Sequence, residues 1–302
     1  MAFEIPRSLQ ETETDCRKTH TWLAKFEAML PALLTQVDAI RWEQIKSDSS
    51  IILRATASCG TIRYIKACPP GEETTSAIAC LDENHHPQLV WCLHADTGNG
   101  VQILSDVPGQ PLTPSDNATE TLADVGKLLR TLHELRTNEQ MIPLSTWCHD
   151  LLHPAHDIPV SIAINIPRCL MLLETAPSPV WLHGDLHHGN IIKSDVSGQL
   201  VAIDPKGLRG DASFDICTFI RNHVPPENDD ISLRTFLERR IRVIAEAASY
   251  PLDRAFAWAA AGNALSLVWD LPTSGKLLSE DHRHMNRILT HLNALAEDNG
   301  MH

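Results

Sequence analysis

The sequence lacks several features that identify broad classes of protein. It contains no apolar run long enough to span a bilayer, and the opening stretch "MAFEIPRSLQETETDCRK" has neither the apolar core nor the cleavage site of a signal peptide. The eight cysteines are spread singly and include no C-x-x-C pair. That spacing is typical of reduced, mostly buried thiols. Together these absences predict a cytoplasmic protein without a membrane partner.

Basic residues are also scarce. The 302 residues include 25 Lys and Arg against 38 Asp and Glu, which leaves a formal net charge of −13. A nucleic-acid-binding surface needs a basic patch, so this balance argues against a nucleic-acid partner and suits cationic small molecules better. With 43% apolar and 21% charged residues, the composition is that of a globular protein with a sizeable core. The sequence contains no repeat and no low-complexity tract, and nothing in it indicates an obligate protein partner.

The first hundred residues predict a small, mostly antiparallel sheet. Helical spacing of apolar residues predicts a helix over 15–37, and the pattern then changes towards strand. A β-hairpin is predicted with arms at 51–57 and 61–67, joined by a turn that ends at Gly60. A short helix is predicted to begin at Glu72, followed by two more strands in "QLVWCLHA" and "GVQILSD".

After a stretch near 105–109 that carries proline and glycine, the pattern becomes helical. A helix is predicted over 119–135, and a buried helix in "VSIAINIPRCLMLLETA" is expected to be interrupted at Pro167. The last third of the chain is helical in pattern. The sequence therefore predicts an α+β protein with a β-rich N-terminal lobe at residues 1–105 and a helical C-terminal lobe at residues 106–302.

Polar residues are concentrated between two apolar clamps in "WLHGDLHHGNII", residues 181–192. Asp185 and Asn190 are separated by four residues, and a strand-like run then delivers Asp204. Lys66 lies on the second arm of the early hairpin. This order and spacing match the catalytic loop, the metal-binding Asp and the phosphate-pairing Lys of protein kinases.

The motifs "LHGDLHHGN" and "AIDPKGLRGDASFDICTFIRN" resemble the aminoglycoside phosphotransferase family, most closely its streptomycin 6-kinase and hydroxyurea phosphotransferase branch. The resemblance implies a protein-kinase-like fold with two lobes. It also implies transfer of the terminal phosphate of ATP to a hydroxyl of a small molecule, with a streptomycin-like antibiotic as the first candidate and antibiotic resistance as the associated role. Three alternatives stay open: a kinase of another metabolite such as an amino sugar or hydroxyurea, a nucleotide-binding pseudokinase or regulatory module, and a protein or peptide kinase.

The resemblance implies a role for each residue of the motifs. Asp185 is expected to orient the acceptor hydroxyl and accept its proton, which makes it the catalytic base. Asn190 and Asp204 are expected to bind Mg²⁺, a hard cation that prefers oxygen ligands. Asp215 resembles the buried Asp with which kinases hold the catalytic loop in place.

The nucleotide, ATP with GTP as an open alternative, is expected to contact the N-terminal lobe. Lys66 would pair with its α- and β-phosphates, and Glu73, with Glu72 as the alternative, would pair with Lys66. Backbone groups at Ser105 and Val107 would bind the adenine.

Three histidines accompany the motif. His183 is expected to pack behind the loop, His187 either to contact phosphate or to brace the loop, and His188 to lie on the surface. For the acceptor, Asp270 next to Trp269 is the candidate ligand. The alternative is that Trp269 belongs to the core and Asp270 caps a turn.

Two departures from protein kinases bear on the substrate. The segment "KSDSS" at 46–50, where a phosphate-covering loop is expected, contains no glycine. The interval between Asp204 and Asp215 is short and contains no A-P-E segment, which leaves little room for a peptide. The second departure favours a small acceptor.

Overall fold

The chain begins with a long helix and a five-stranded sheet and continues into a mainly helical part. The structure is a computed structural model, and it describes residues 3–4, 6, 13–47, 49–225, 229–272 and 279–300. The strands are β1 (Ala39–Ile45), β2 (Ile51–Ala57), β3 (Ile62–Ala67), β4 (Cys92–Asp96), β5 (Val101–Ser105), β6 (Gly109–Pro111), β7 (Ile142–Pro143), β8 (Val180–Leu182), β9 (Ile191–Ser194), β10 (Leu200–Ala202) and β11 (Leu208–Gly210). The helices are α1 (Glu13–Gln36), α2 (Glu72–Asp82), α3 (Thr119–Leu132), α4 (Leu144–Trp147), α5 (His149–Leu152), α6 (Val160–Ala163), α7 (Asn165–Glu174), α8 (Ile216–Arg221), α9 (Asp230–Ala248), α10 (Leu252–Asp270) and α11 (Glu280–Asp298), with 3₁₀ turns at His188–Asn190 and Ala212–Asp215.

The large sheet has the strand order β1-β2-β3-β5-β4, and every pair in it is antiparallel. The β2–β3 hairpin confirms the predicted one, and Gly60 has the positive φ of 85° that its turn needs. Along β2, side chains alternate between buried and half-buried positions. This alternation gives the sheet one apolar face, which the sequence pattern predicts.

Helix α1 covers the apolar face of the sheet. Trp22, Phe26 and Leu30 of α1 form one hydrophobic cluster with Ile51 and Ile65 of the strands. Burial of each large apolar side chain stabilises the fold by roughly 1.5–3 kcal/mol. The helix predicted over 15–37 is therefore confirmed, as is the helix predicted from Glu72, which is α2.

The helical part is built around α10. Thirteen residues of this helix are buried, which is typical of a helix enclosed on all sides. Helix α3 buries the face that the sequence predicts, although it ends at Leu132 rather than Leu135. The buried helix expected around Pro167 is split into α6 and α7, with the break at Ile164. Pro167 thus lies in the first turn of α7, where its missing N–H removes no helical hydrogen bond.

Two small sheets connect these parts, and of their strands only β10, the strand-like run before Asp204, was predicted. One has the order β10-β9-β6 and the other the order β7-β11-β8. Their strands have only two to four residues, too few to give a periodic pattern in the sequence. They place the segments 183–190 and 203–207 side by side. Among the described residues, no helix combines the length and the apolar character needed to cross a bilayer.

The crossing of α3 and α9 depends on Gly126. A Cβ atom at this position would lie 2.5 Å from the carbonyl oxygen of Ile244 and 2.7 Å from Cβ of Ala247. Alanine gains about 1 kcal/mol of helix propensity over glycine, but overpacking against backbone atoms costs about 1–3 kcal/mol. We expect Gly126→Ala to lower the free energy of unfolding by up to about 2 kcal/mol in chemical denaturation. The exposed neighbour provides the control: Lys127→Ala should change stability by less than about 0.5 kcal/mol. A Gly126→Ala protein more stable than the wild type would show that the helices separate without cost.

Candidate active site

The segment from His183 to Asn190, called here the 183–190 loop, begins where β8 ends. Its carboxylate anchor is Asp215, which is 2% exposed. Asp215 accepts hydrogen bonds from the backbone N–H groups of His183 and Gly184, both at 2.8 Å, and contacts Nε2 of His133 at 3.0 Å. A buried carboxylate with several donors is a strong positional constraint because each of its hydrogen bonds is charge-assisted. Asp215 therefore holds the loop in place, in agreement with the role expected for it.

His183 connects the loop to the segment that carries Asp204. Its side chain is fully buried, Nε2 contacts the carbonyl oxygen of Ile203 at 2.9 Å, and Nδ1 accepts the backbone N–H of Asp185 at 3.2 Å. Burial lowers the pKa of His183, and the nearby Asp215 opposes that shift. The expectation that His183 packs behind the loop is confirmed.

Gly184 carries a positive φ of 79°, so the chain turns sharply just before Asp185. A Cβ at this position would lie 2.8 Å from the side chain of Leu208. The glycine thus allows the loop to pass close to β11, and this turn brings the half-buried Asp185 to a cleft described below.

The far end of the loop is held by His187 and Asn190. Nδ1 of His187 accepts the backbone N–H of Gly189 at 3.0 Å, which caps the 3₁₀ turn. Nδ2 of Asn190 donates to the carbonyl oxygen of Asp185 at 3.0 Å. With its amide nitrogen used in this way, Asn190 keeps its side-chain oxygen available as a ligand. His187 thus braces the loop, and the alternative in which it contacts phosphate stays a prediction.

His188 does not lie on the surface, and this expectation is wrong. Its side chain is fully buried, stacked on Phe219 at a centroid distance of 4.1 Å and met at 4.7 Å by the edge of the His223 ring. Neither ring nitrogen makes a hydrogen bond, and burial, together with the charge of Arg240, lowers the pKa to about 3. The imidazole therefore serves as an uncharged aromatic wedge beneath the loop. The sequence does not reveal this burial, because the residues next to His188 are polar.

Asp204 and Lys66 meet across the two parts of the chain. Asp204 follows β10 with a positive φ of 57°, uncommon for a residue other than glycine. Nζ of Lys66, on β3, forms an ion pair with Oδ1 of Asp204. Burial alone would raise the pKa of Asp204, but Lys66 holds it below the usual range. Burial would likewise lower the pKa of Lys66, yet the charge of Asp204 keeps it above its ordinary value.

The structure does not pair Lys66 with Glu73 or Glu72. Both glutamates lie in the first turn of α2 and line the cleft beside Asp185. One turn further along α2, Ser76 contacts the chain that follows Asp204. Its hydroxyl donates to the carbonyl oxygen of Gly207 and accepts the backbone N–H of Ile142 at 2.9 Å.

Helix α2 approaches the chain after Asp204 closely at Gly207. Gly207 has a positive φ of 73°, and a Cβ there would lie 2.4 Å from the carbonyl oxygen of Ser76. The glycine therefore allows the chain to pass against the backbone of α2 at Ser76. The longer glutamates are accommodated one turn earlier, where the helix extends over the cleft.

The segment expected to bind adenine follows β5. The N–H of Ser105 donates to the carbonyl oxygen of Trp91 at 2.9 Å, and its hydroxyl accepts the N–H of Trp91 at 3.1 Å. Ser105 is therefore committed to the neighbouring chain. Within the described part of the molecule, the backbone N–H and C=O of Val107 make no hydrogen bond. Val107 is thus the better placed of the two residues to bind a ligand.

The segment at 46–50 is closed by serines. The hydroxyls of Ser47 and Ser50 lie 3.1 Å apart, and Ser50 is buried. Asp48 of this segment lies outside the described residues. These side chains close the turn without the glycines that a phosphate-covering loop ordinarily carries.

A cleft of about 800 Å³ opens beside Asp185. Among the described residues, its charged lining consists of the carboxylates Glu72, Glu73, Asp150, Asp185 and Asp270 and the cations Lys206 and Arg221. Five carboxylates against two cations leave the cleft with an acidic balance, which favours cationic ligands. Asp270 thus lies where it was expected, on the wall of this cleft.

An aromatic wall forms one side of the cleft. Trp269 is 45% exposed and therefore does not belong to the core. Its indole N–H donates to Oδ2 of Asp150 at 3.0 Å, and its ring meets the Trp147 ring edge-on at 5.3 Å. Asp150 and Trp147 come from α5 and α4, more than a hundred residues away in sequence. Sequence reasoning missed both, because a polar helix end shows no signal that it faces a cleft.

Comparisons with known proteins show which family the chain resembles. The model of the aminoglycoside/hydroxyurea antibiotic resistance kinase family matches residues 97–273, more than half of the chain. Streptomycin 3''-kinase of Klebsiella pneumoniae is 30% identical over 162 residues, a match that spans 51% of this chain and 58% of that protein. Streptomycin 6-kinase of Streptomyces glaucescens is 23% identical over 288 residues, covering 89% of this chain and 91% of that protein.

Among solved structures, the amicoumacin kinase in complex with AMP-PNP, Ca²⁺ and Ami is similar, with a TM-score of 0.59 and 14% identity. The match covers 91% of this chain and 94% of that one. Similarity at this level of identity concerns the fold, and it shows that the sheet and the helical part together form a protein-kinase-like fold. The family match and this fold lead to one assignment: the chain belongs to the aminoglycoside/hydroxyurea antibiotic resistance kinases, a family of phosphotransferases that act on alcohol groups.

Proposed function

We propose that this protein transfers the terminal phosphate of ATP to a hydroxyl of a cationic small molecule, with a streptomycin-like aminoglycoside as the leading acceptor. The observation that carries the proposal is the position of Asp185. It lies on an acidic cleft of about 800 Å³, on a loop braced against the segment that holds the Lys66–Asp204 ion pair. The contact of His183 with Ile203 thus links the carboxylate on the cleft, Asp185, to the segment that carries the Lys66–Asp204 ion pair.

The nucleotide would bind between the sheet and the 183–190 loop. Two oxygen ligands fit a hard divalent cation there: the carboxylate of Asp204, 40% exposed, and the uncommitted amide oxygen of Asn190. When bound, Mg²⁺ would neutralise phosphate charge. The related amicoumacin kinase binds AMP-PNP and Ca²⁺, which supports ATP and a divalent cation here. Lys66 would pair with the phosphates, and Val107 would bind the adenine through its backbone.

The chain's own residues would position the reacting groups. Asp185 would accept a hydrogen bond from the acceptor hydroxyl and aim its oxygen at the terminal phosphorus. The new bond joins that oxygen to phosphorus as the bond to the bridging oxygen of the nucleotide breaks, and the proton passes to Asp185. The hydrogen bond from Asn190 to the carbonyl of Asp185 would fix the backbone at this point.

The acceptor would bind in the cleft, which matches a cationic ligand in two ways. Its five carboxylates provide charge-assisted hydrogen bonds for ammonium or guanidinium groups. The ring of the half-exposed Trp269 offers a face for a cation. We assign Glu73 and Glu72 to this acceptor side instead of the Lys66 pair. We also propose residues 105 and 106 as the boundary between the lobes, with His187 as a brace of the loop.

An acceptor panel tests the proposal directly. Purified protein with Mg²⁺ and ATP should release ADP faster when streptomycin is added, and mass spectrometry should detect the singly phosphorylated product. Other aminoglycosides, amino sugars and hydroxyurea provide the comparison set. If no member of the panel is phosphorylated, the proposed acceptor class is wrong.

The first variant addresses the base. Asp185→Asn keeps the size of the side chain but cannot accept the proton, so we expect kcat to fall on the order of a hundredfold or more. The KM for ATP should stay within about threefold, because Asp185 does not form the phosphate site. Steady-state kinetics measure both. The control is Asp195→Asn, a change at an exposed carboxylate that does not line the cleft. A variant at Asp185 with a near wild-type kcat would remove Asp185 from the base role.

The second variant addresses acceptor binding. Burial raises the pKa of Asp270, and the charges of Arg221 and His282 oppose that shift. Asp270→Asn should raise the KM for streptomycin about fivefold, corresponding to roughly 1 kcal/mol, with little change in the KM for ATP. Because its pKa is raised, Asp270 loses its charge at a higher pH than an ordinary Asp. The wild-type KM for this cationic acceptor should therefore rise on acidification, and it should rise less in Asp270→Asn.

The matched control for Asp270 is Asp281→Asn. It removes the same charge from an exposed position in the first turn of α11 that does not line the cleft. Equal KM values for streptomycin in the wild type and Asp270→Asn, or an equal rise in the control, would exclude Asp270 from acceptor binding.

A further inference from the structure

Arg221 places a guanidinium group on the cleft wall. It is the last residue of α8 and lines the cleft together with Asp185, Asp270 and Thr218. The helix begins directly after Asp215, the residue that holds the 183–190 loop. One short helix therefore determines where this cation lies relative to Asp185.

The guanidinium is largely unused within the protein. Its single hydrogen bond in the described part of the chain runs to the hydroxyl of Thr218, at a long 3.4 Å, and no described carboxylate forms an ion pair with it. Arg254 shows how an enclosed arginine can instead be fully engaged within the protein. Arg254 binds Asp211, Thr175 and the carbonyl oxygen of Leu172. Since a guanidinium carries five N–H donors, most donors of Arg221 are available to a ligand in the cleft.

The guanidinium of Arg221 is enclosed and has two carboxylates near it. Burial lowers its pKa, and the carboxylates of Asp185 and Asp270 oppose the shift. Arginine nevertheless stays protonated in proteins. A cation on this wall opposes the binding of a cationic acceptor, so its presence there indicates a different, anionic ligand. That ligand has to come close to Asp185.

The second cation of the cleft has a different neighbour. Lys206 lies near Asp204 and helps to lower the pKa of that carboxyl, which places it on the nucleotide side. Arg221 lies near Asp185 and Asp270, on the acceptor side. Both cations line the same cleft as Asp185, Lys206 with Asp204 as a charged neighbour and Arg221 with Asp270 as one.

We propose that Arg221 donates hydrogen bonds to the phosphoryl group as it passes from the nucleotide to the acceptor hydroxyl. The inference rests on the proposed function, in which the hydroxyl oxygen bonds to phosphorus, the bridging oxygen leaves and Asp185 takes the proton. Arg221 stays protonated throughout and stabilises the charge on the transferred oxygens. Its planar fork of donors matches two phosphate oxygens at once. Groups that act on such charge at the moment of transfer raise kcat rather than the affinity for substrate.

The first test separates kcat from KM. Arg221→Met removes the charge and the donors, and we expect kcat for streptomycin phosphorylation to fall on the order of a hundredfold or more. The KM for ATP should change less than about threefold. Hydrolysis of ATP without acceptor should fall by a similar factor, since the same phosphoryl group moves to water. Arg221→Lys, which keeps a charge in the cleft, should recover part of the loss and carries the test if the Met variant fails to fold.

The second test needs no acceptor and no turnover. In calorimetric titration with Mg²⁺ and ADP, added tetrafluoroaluminate mimics the phosphoryl group in transfer. We expect it to tighten ADP binding in the wild type at least tenfold and to have little effect in Arg221→Met, whereas binding of ADP alone stays unchanged. Arg209→Met is the matched control, because Arg209 is also half-buried with one hydrogen bond, to the carbonyl of Met141 at 3.2 Å, and does not line the cleft.

Three results of the titration would overturn the proposal: no tightening by tetrafluoroaluminate in the wild type, tightening that survives in Arg221→Met, or an equal loss in Arg209→Met. A rise confined to the KM for streptomycin would also overturn it, because Arg221 would then contact the acceptor. Failure of the whole acceptor panel with intact, Arg221-dependent tightening would instead contradict the proposed acceptor class alone.

Discussion

The buried carboxylate of Asp215 is the constraint on which the site depends. It binds the N–H groups of His183 and Gly184, and through Nε2 of His133 it reaches helix α3. Nδ1 of the same histidine lies 3.1 Å from the hydroxyl of Tyr250. A neutral imidazole that donates from Nε2 and accepts at Nδ1 satisfies every member of this chain. Such a network in a low-dielectric interior is rigid because breaking one bond leaves a buried polar group unpaired.

The loop held by Asp215 is in turn connected to Asp204 and, through it, to the large sheet. From the loop, His183 reaches the carbonyl of Ile203, next to Asp204. Asp204 in turn meets Lys66 of the large sheet, so the sheet, the loop and the helical part are joined by a few buried polar contacts. Helix α2 is attached to the same region by the hydroxyl of Ser76. This arrangement positions a carboxylate, a cation and an acidic cleft within one connected unit.

Several elements of this unit could be predicted from the sequence, since they depend on local patterns. The hairpin follows from alternation around Gly60, and the buried face of α3 follows from helical periodicity. The order of Asp185, Asn190, Asp204 and Lys66 matches a known chemical arrangement. Of the two small sheets, the sequence predicted only β10, the apolar run before Asp204, because the other strands of two to four residues carry no periodic signal.

The predictions for His188 and Glu73 failed because residues far away in the sequence determine the surroundings of these side chains. His188 reads as a surface residue among polar neighbours, but Phe219 supplies a ring that covers it. Glu73 was predicted to pair with Lys66, but Lys66 pairs with Asp204, and Glu73 lines the cleft. The sequence by itself determined the elements, the order of the motif and the family resemblance, because these depend on spacing along the chain. Only the tertiary structure decided which carboxylates share the cleft and which cation faces Asp185, because those relations join residues that are far apart in sequence.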